Sequence, residues 1–164
     1  MTQRLILFFF TFPVYFTLFG QTNPNKDRLY VLSKNRIGKN YIFNRSKPGN
    51  YDSTVIRYLG RVTTKKGIVF KIITSKWYFG FGPHATTRVV VFNHKNEYLG
   101  NYQLTMTYDL PDEIQNNRLV FSNKHRTDCN RKLMTRVSFN NGIPKQIFIN
   151  CKDGYGDVNY FGDE

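Results

Sequence analysis

The sequence predicts an all-β chain, a single antiparallel β-sandwich or up-and-down β-barrel-like domain of about seven to eight strands. Three observations lead there. Phe and Tyr are abundant, at 15 and 11 residues, whereas Ala85 is the only alanine, and that balance favours strands over helices. Apolar and polar residues alternate with period two over several stretches. Clusters of Gly, Asn, Asp and Pro separate those stretches at hairpin-like intervals.

Residues 1–20 carry a different signal. Arg4 is followed by an almost wholly apolar run from Leu5 to Phe19, and Gly20-Gln21 offers a small-residue exit. A charged start, an apolar middle and a small residue at the end is the order of a secretory signal peptide. The run is about fifteen residues, short of the roughly twenty that a membrane-crossing helix needs. Pro13 interrupts it further. The expectation is export to the periplasm or the extracellular space, with cleavage near Gly20–Gln21. An uncleaved anchor and an ordinary buried segment are the competing readings. Neither cysteine follows the run directly, which argues against a lipid-modified anchor.

Residues 21–52 read as an extended lead-in with one or two short strands, around Leu29–Leu32 and Tyr41–Phe43, packed on the main body. Residues 53–164 then hold the antiparallel β domain, and the lead-in belongs to the same domain. From Thr54 the alternation places Val55, Arg57, Leu59 and Arg61 on one face and Ile56, Tyr58, Gly60 and Val62 on the other. Thr64–Gly67 is a turn, and Ile68–Trp77 pairs back as the second arm of a hairpin.

Gly80-Phe81-Gly82-Pro83 breaks the pattern. Arg88–Phe92 is a buried strand, and His94–Glu97 turns it into Tyr98–Tyr108. There Tyr98, Gly100, Tyr102, Leu104, Met106 and Tyr108 share one face, opposite a mostly polar one. Asp109–Asn117 is a loop or a helical turn, Arg118–Ser122 a short strand, and Asn123–Asn130 a loop. Lys132–Phe139 and Ile143–Asn150 flank Asn140-Asn141-Gly142, the Asn-Gly signal of a two-residue hairpin turn. The tail from Asp153 reads as a flexible acidic terminus. No helix longer than about two turns is expected.

In an oxidising compartment the two cysteines invite a disulfide. A final hairpin turning at Asn141–Gly142 places Cys129 nearly opposite Cys151, so a structural bridge between them is the expectation.

Chemical signatures are few. There is no Gly-x-Ser-x-Gly, no phosphate-binding glycine loop and no C-x-x-C, and neither a cofactor nor a metal site is indicated. His84, His94 and His125 fall in loops or turns. The acids of the tail lack a full calcium-loop pattern. Asp109, Asp112 and Glu113 could supply a hydrolytic carboxylate pair, and a solvated loop explains them as well.

The net charge is +13, of which only Arg4 lies in residues 1–20, leaving +12 beyond them. Such a balance favours anionic partners, although a solubilising basic surface accounts for it too. Export makes nucleic acid an unlikely partner and leaves anionic glycan, glycolipid or a membrane surface. Lys65, Lys66, Lys71 and Lys76 gather around one hairpin beside an aromatic run. Lys76, Trp77, Tyr78, Phe79 and Phe81 are therefore the candidate ligand contacts, since rings stack on sugars while cations hold acidic groups. The competing account has Trp77 and Phe79 filling the core. The expected function is that of an exported, non-catalytic binding or envelope-associated domain. A secreted hydrolase with a loop carboxylate pair, or an inhibitor- or immunity-like module with a protein partner, are the alternatives.

Overall fold

Seven antiparallel strands form the main sheet of this computed structural model, which describes residues 25–82 and 84–163. The expected signal peptide, residues 1–20, lies outside the described residues. The elements run α1 (Asn25–Lys34), β1 (Asn40–Asn44), β2 (Tyr51–Thr63), β3 (Val69–Gly80), β4 (His84–Asn93) and β5 (Tyr98–Leu104). Then come β6 (Glu113–Gln115), β7 (Arg118–Ser122), β8 (Met134–Ser138), β9 (Gln146–Lys152) and β10 (Tyr155–Gly162). The large sheet has the order β1-β2-β3-β4-β5-β10-β9, and a small one has the order β6-β7-β8. The domain is all-β and sandwich-like, as the composition predicts.

Each face of the large sheet is covered by something different. Leu119 and Phe121 of β7, with Phe139, pack on one face against Val62, Phe70, Ile72, Val89, Val91 and Tyr102. On the other face Val31 and Leu32 of α1 cover Ile56, Tyr58, Ile73, Val90 and Phe92. The lead-in is thus partly helical, which corrects the extended reading. Its contact stripe is Arg28, Val31 and Leu32, so a buried arginine, bonded to Asn25 at 3.0 Å, fills a position where an apolar residue would have revealed a helix. Asn35, with φ 48°, ends the helix in the left-handed conformation.

Two bulges interrupt the expected alternation. Tyr58 pairs with Ile73 and Gly60 with Ile72, leaving Leu59 as the extra residue. Ile56 and Tyr58 therefore face the helix, while Val62 faces the small sheet. Likewise Gly100 pairs with Val91 and Tyr98 with Phe92, so Tyr98 turns to the helix face while Tyr102 and Leu104 turn away from it. Gly100 is required at this bulge. It has φ +136°, and a Cβ there would lie 2.5 Å from the Phe161 ring and 2.9 Å from the Gly162 carbonyl oxygen. Strand β5 also stops at Leu104 instead of Tyr108, because the Asp109 carboxylate accepts the Met106 amide at 3.0 Å and turns the chain.

The final segments pair differently from the expected hairpin. Strand β8 pairs with β7, and β9 pairs with the tail strand β10, so the chain changes sheets at Asn140–Gly142. Only Gly142 of the Asn141–Gly142 pair has positive φ. Two-residue turns with both central residues left-handed lie instead at Asn116–Asn117, between Gln115 and Arg118, and at Asp153–Gly154, between Lys152 and Tyr155. The tail is accordingly a strand and not a flexible terminus. Side chains join the two sheets at both sides. The Asn117 amide exchanges two hydrogen bonds of 2.7 Å with the Thr63 backbone. On the opposite side Asn150 N–H donates to Thr135 Oγ1, and Asn123 Nδ2 donates to the carbonyls of Asn130, Asn150 and Cys151.

Cys129 and Cys151 form the expected disulfide, with Cα atoms 4.6 Å apart. It links the loop after β7 to β9, where the Asn130 amide also donates to the Cys151 carbonyl. Replacing both cysteines by serine should destabilise the chain by about 3 kcal/mol, because it removes a cross-link over a separation of 22 residues. Urea denaturation of the oxidised protein and the double variant checks this.

Candidate functional site

The long strands outrun the small sheet that covers them. Strands β2 and β3 have 13 and 12 residues, whereas β6, β7 and β8 have 3, 5 and 5. Past the end of the small sheet the shared face opens into a cleft of about 310 Å³. Its floor is Val55 and Arg57 of β2 with Thr74, Lys76 and Tyr78 of β3. The alternation of paired strands brings these five together, since Val55 is opposite Lys76 and Arg57 opposite Thr74. Thr107, Tyr108, Leu110 and Asp112 from the segment between β5 and β6 form one wall, and Ser122, Lys124 and His125 form another.

Arg57 fastens that wall. Its Nη2 donates to the carbonyl oxygens of Pro111 at 2.9 Å and Asp112 at 3.0 Å. The Asp112 carboxylate accepts from Ser122 Oγ and from Lys124 Nζ, the latter at 2.6 Å. Burial alone would push the Asp112 carboxyl upward. The hydrogen bonds from Lys124 and Ser122, with the charges of Lys124 and Arg57, outweigh that and hold it below the usual aspartate range. Lys76 is half-buried and has no hydrogen bond or ion pair among the described residues. Burial, and next the Arg57 charge, hold its ammonium below the ordinary lysine value.

The predicted contact residues divide between two faces. Lys76 and Tyr78 line the cleft. Trp77 and Phe79, one residue out of phase, stack on each other on the opposite face at 4.5 Å between ring centroids. The Trp77 indole N–H donates to Asp52 Oδ1 at 3.0 Å, and Phe79 stacks on His84. Trp77 is 40% exposed, so it does not fill the core, and Phe81 is 90% exposed in the β3–β4 connection. Arg57, Asp112 and Lys124 complete the cleft, and composition alone does not mark them as ligand contacts. The alternation from Val55 to Arg61 placed Arg57 on a face, but only the pairing with β3 shows that Lys76 shares it.

The carboxylates are separated as well. Asp112 lines the cleft, Glu113 is exposed on β6, and Asp109 is buried elsewhere. Asp109 lies 3.3 Å from Arg126, whose Nη1 also donates to Asp157 of β10 at 2.9 Å. Arg126 faces Asp128 and the Tyr108 ring too. Burial raises the Asp109 carboxyl above its ordinary value, against the pull of Arg126 and the Met106 amide, while Asp157 and Asp128 push the same way as burial. This cluster ties the segment after β5, the segment after β7 and β10 to one guanidinium. His84, His94 and His125 are exposed, and only His125 reaches the cleft. Asp128 lies beside Cys129 and Cys151, but their sulfurs are bonded to each other and offer no thiolate pair to a metal.

No protein-family model, curated protein or solved structure matches the chain.

Arg126→Met should cost about 3–5 kcal/mol in urea denaturation, because it leaves Asp109 buried without a counter-charge. The pH dependence has two opposed parts. The depressed carboxyl of Asp112 contributes stability that is complete above the ordinary aspartate value and lost as pH falls through its folded value. The raised carboxyl of Asp109 works in the reverse sense, costing stability as pH rises from the ordinary value through the folded one. Asp112→Asn should therefore flatten the acid-side fall in stability and Asp109→Asn should steepen it, as measured by urea midpoints between pH 2 and 6.

Proposed function

We propose that the chain is an exported, non-catalytic β-domain that binds anionic envelope material, an acidic glycan, glycolipid or membrane surface. The observation that carries this reading is the lining of the cleft, where Arg57, Lys76 and Lys124 face a single carboxylate, Asp112. A half-buried ammonium without a counter-charge is costly, and an anionic ligand would offset that cost. The chain's net charge of +13 would draw acidic partners towards it. The disulfide supports an oxidising destination, and with it the export that residues 1–20 predict. Nucleic acid fits that destination poorly.

The hydrolase alternative has less support. Asp109 is engaged with Arg126, Asp112 with Lys124 and Ser122, and the two do not line the cleft together. A protein partner is favoured by a separate feature. Phe148 of β9 and Val158 and Tyr160 of β10 are exposed on one face of the terminal hairpin, with Phe148 opposite Val158. Co-purification from the native envelope would bring out that reading.

Binding to vesicles containing phosphatidylglycerol, or to polygalacturonate, should weaken by about tenfold or more as sodium chloride rises from about 50 to 300 mM. Sedimentation or fluorescence titration measures it. Absent or salt-insensitive binding would contradict the proposal.

A further inference from the structure

The cleft's charge count points to a narrower ligand than a generic polyanion; this inference rests on the anion-binding reading above and deepens it. Lys124 spends its charge on Asp112 at 2.6 Å. Arg57 and Lys76 remain, and no carboxylate among the lining residues is left to match them. Their two positive charges lie on the same face of adjacent strands, with Lys76 opposite Val55 and Arg57 two residues further along β2.

A phosphomonoester is close to dianionic near neutral pH. A carboxylate or a phosphodiester brings one negative charge and would leave the other cation uncompensated. The cleft, at about 310 Å³, is at the small end of ligand sites and matches one sugar-sized unit. The half-buried Tyr78 ring beside Lys76 and the Tyr108 ring on the facing wall supply the flat surfaces on which a sugar can lie.

We propose that this cleft binds a phosphomonoester carried on a single sugar-sized unit, with the phosphate on Lys76 and Arg57 and the sugar against Tyr78. The same chemistry occurs in a free sugar phosphate and in a phosphorylated sugar ending an envelope glycolipid. Lys76 has a second role. Burial and the Arg57 charge hold its ammonium below the ordinary lysine value, and an arriving phosphate favours the charged form again. Binding at alkaline pH therefore takes up a proton from solvent, and affinity falls as pH rises through the lowered Lys76 value.

The test is calorimetric titration of the purified exported protein with glucose 6-phosphate, glucuronate and glucose. Glucose 6-phosphate should bind about tenfold or more tightly than glucuronate, and glucose should not bind measurably. Lys76→Met should abolish binding. It removes an unpaired half-buried charge, so its thermal unfolding temperature should equal or exceed that of the parent. Lys76→Arg should keep binding and lose the decline at alkaline pH, since a guanidinium stays protonated. Lys66→Met, in the exposed turn after β2, removes the same charge and should leave binding unchanged.

Vesicles doped with a terminally phosphorylated glycolipid distinguish the sources. Binding to them about tenfold tighter than to free glucose 6-phosphate assigns a membrane-borne ligand, and equal affinity assigns the soluble one. Equal affinities for glucose 6-phosphate and glucuronate, or unchanged binding by Lys76→Met, would overturn the inference. If polygalacturonate or anionic vesicles still bind in a salt-dependent way while glucose 6-phosphate does not, the narrower inference fails and the broader reading stands. If none of them binds, both fail.

Discussion

The mismatch in length between the two sheets governs most of what this molecule presents. Strands β2 and β3 extend well past the short strands of the small sheet, and a sheet face left uncovered must either be polar or be covered by something else. Here it changes character along its length. Phe70 and Ile72 lie under the small sheet, and the same face continues through Thr74, Lys76 and Tyr78 into the cleft. Arg57 spans the boundary, since it floors the cleft and holds the Pro111 and Asp112 carbonyls that form the wall. The cleft is consequently built on paired strands, and its cations are fixed by the ladder that positions the core.

The charged interior works by a different logic from the cleft. Arg126 is buried and surrounded by carboxylates from three chain segments, so its charge is matched within the fold. Lys76 is less deeply buried and has no such match. An internal ion cluster of the first kind anchors loops against β10 and leaves nothing for a ligand. A cation of the second kind is a cost to the free protein, which is how binding sites differ from structural ion pairs. The disulfide adds to the anchoring, because Cys129 and Arg126 belong to the same segment after β7.

Period-two patterning makes β2, β3 and β5 legible in the sequence, whereas β4 and β7 show as short apolar runs, because their buried residues are consecutive. It could not reveal the bulges at Leu59 and Leu99, where one extra residue reverses the faces without changing composition. The helix α1 was hidden by Arg28 at a buried position. The disulfide forms although the β8–β9 hairpin that the Asn-Gly pair predicts does not. Cys129 and Cys151 meet because the segment after β7 and strand β9 adjoin across the two sheets, with Asn-Gly at the crossover and Asp-Gly at the true hairpin turn. At the site, Lys76 and Tyr78 were found by composition, but strand geometry sends Trp77 and Phe79 to the opposite face. Arg57 and Asp112 arrive from segments distant in sequence, a juxtaposition that no local pattern encodes.

The central claim is that Lys76 is an uncompensated ammonium awaiting an anion. Site-resolved carbon NMR of lysine side chains, titrated over the alkaline range with and without glucose 6-phosphate, tests it directly. The account predicts that Lys76 titrates below the ordinary lysine value in the free protein and moves upward when the phosphate is present. A Lys76 that titrates at the ordinary lysine value, or that is indifferent to phosphate, would contradict it.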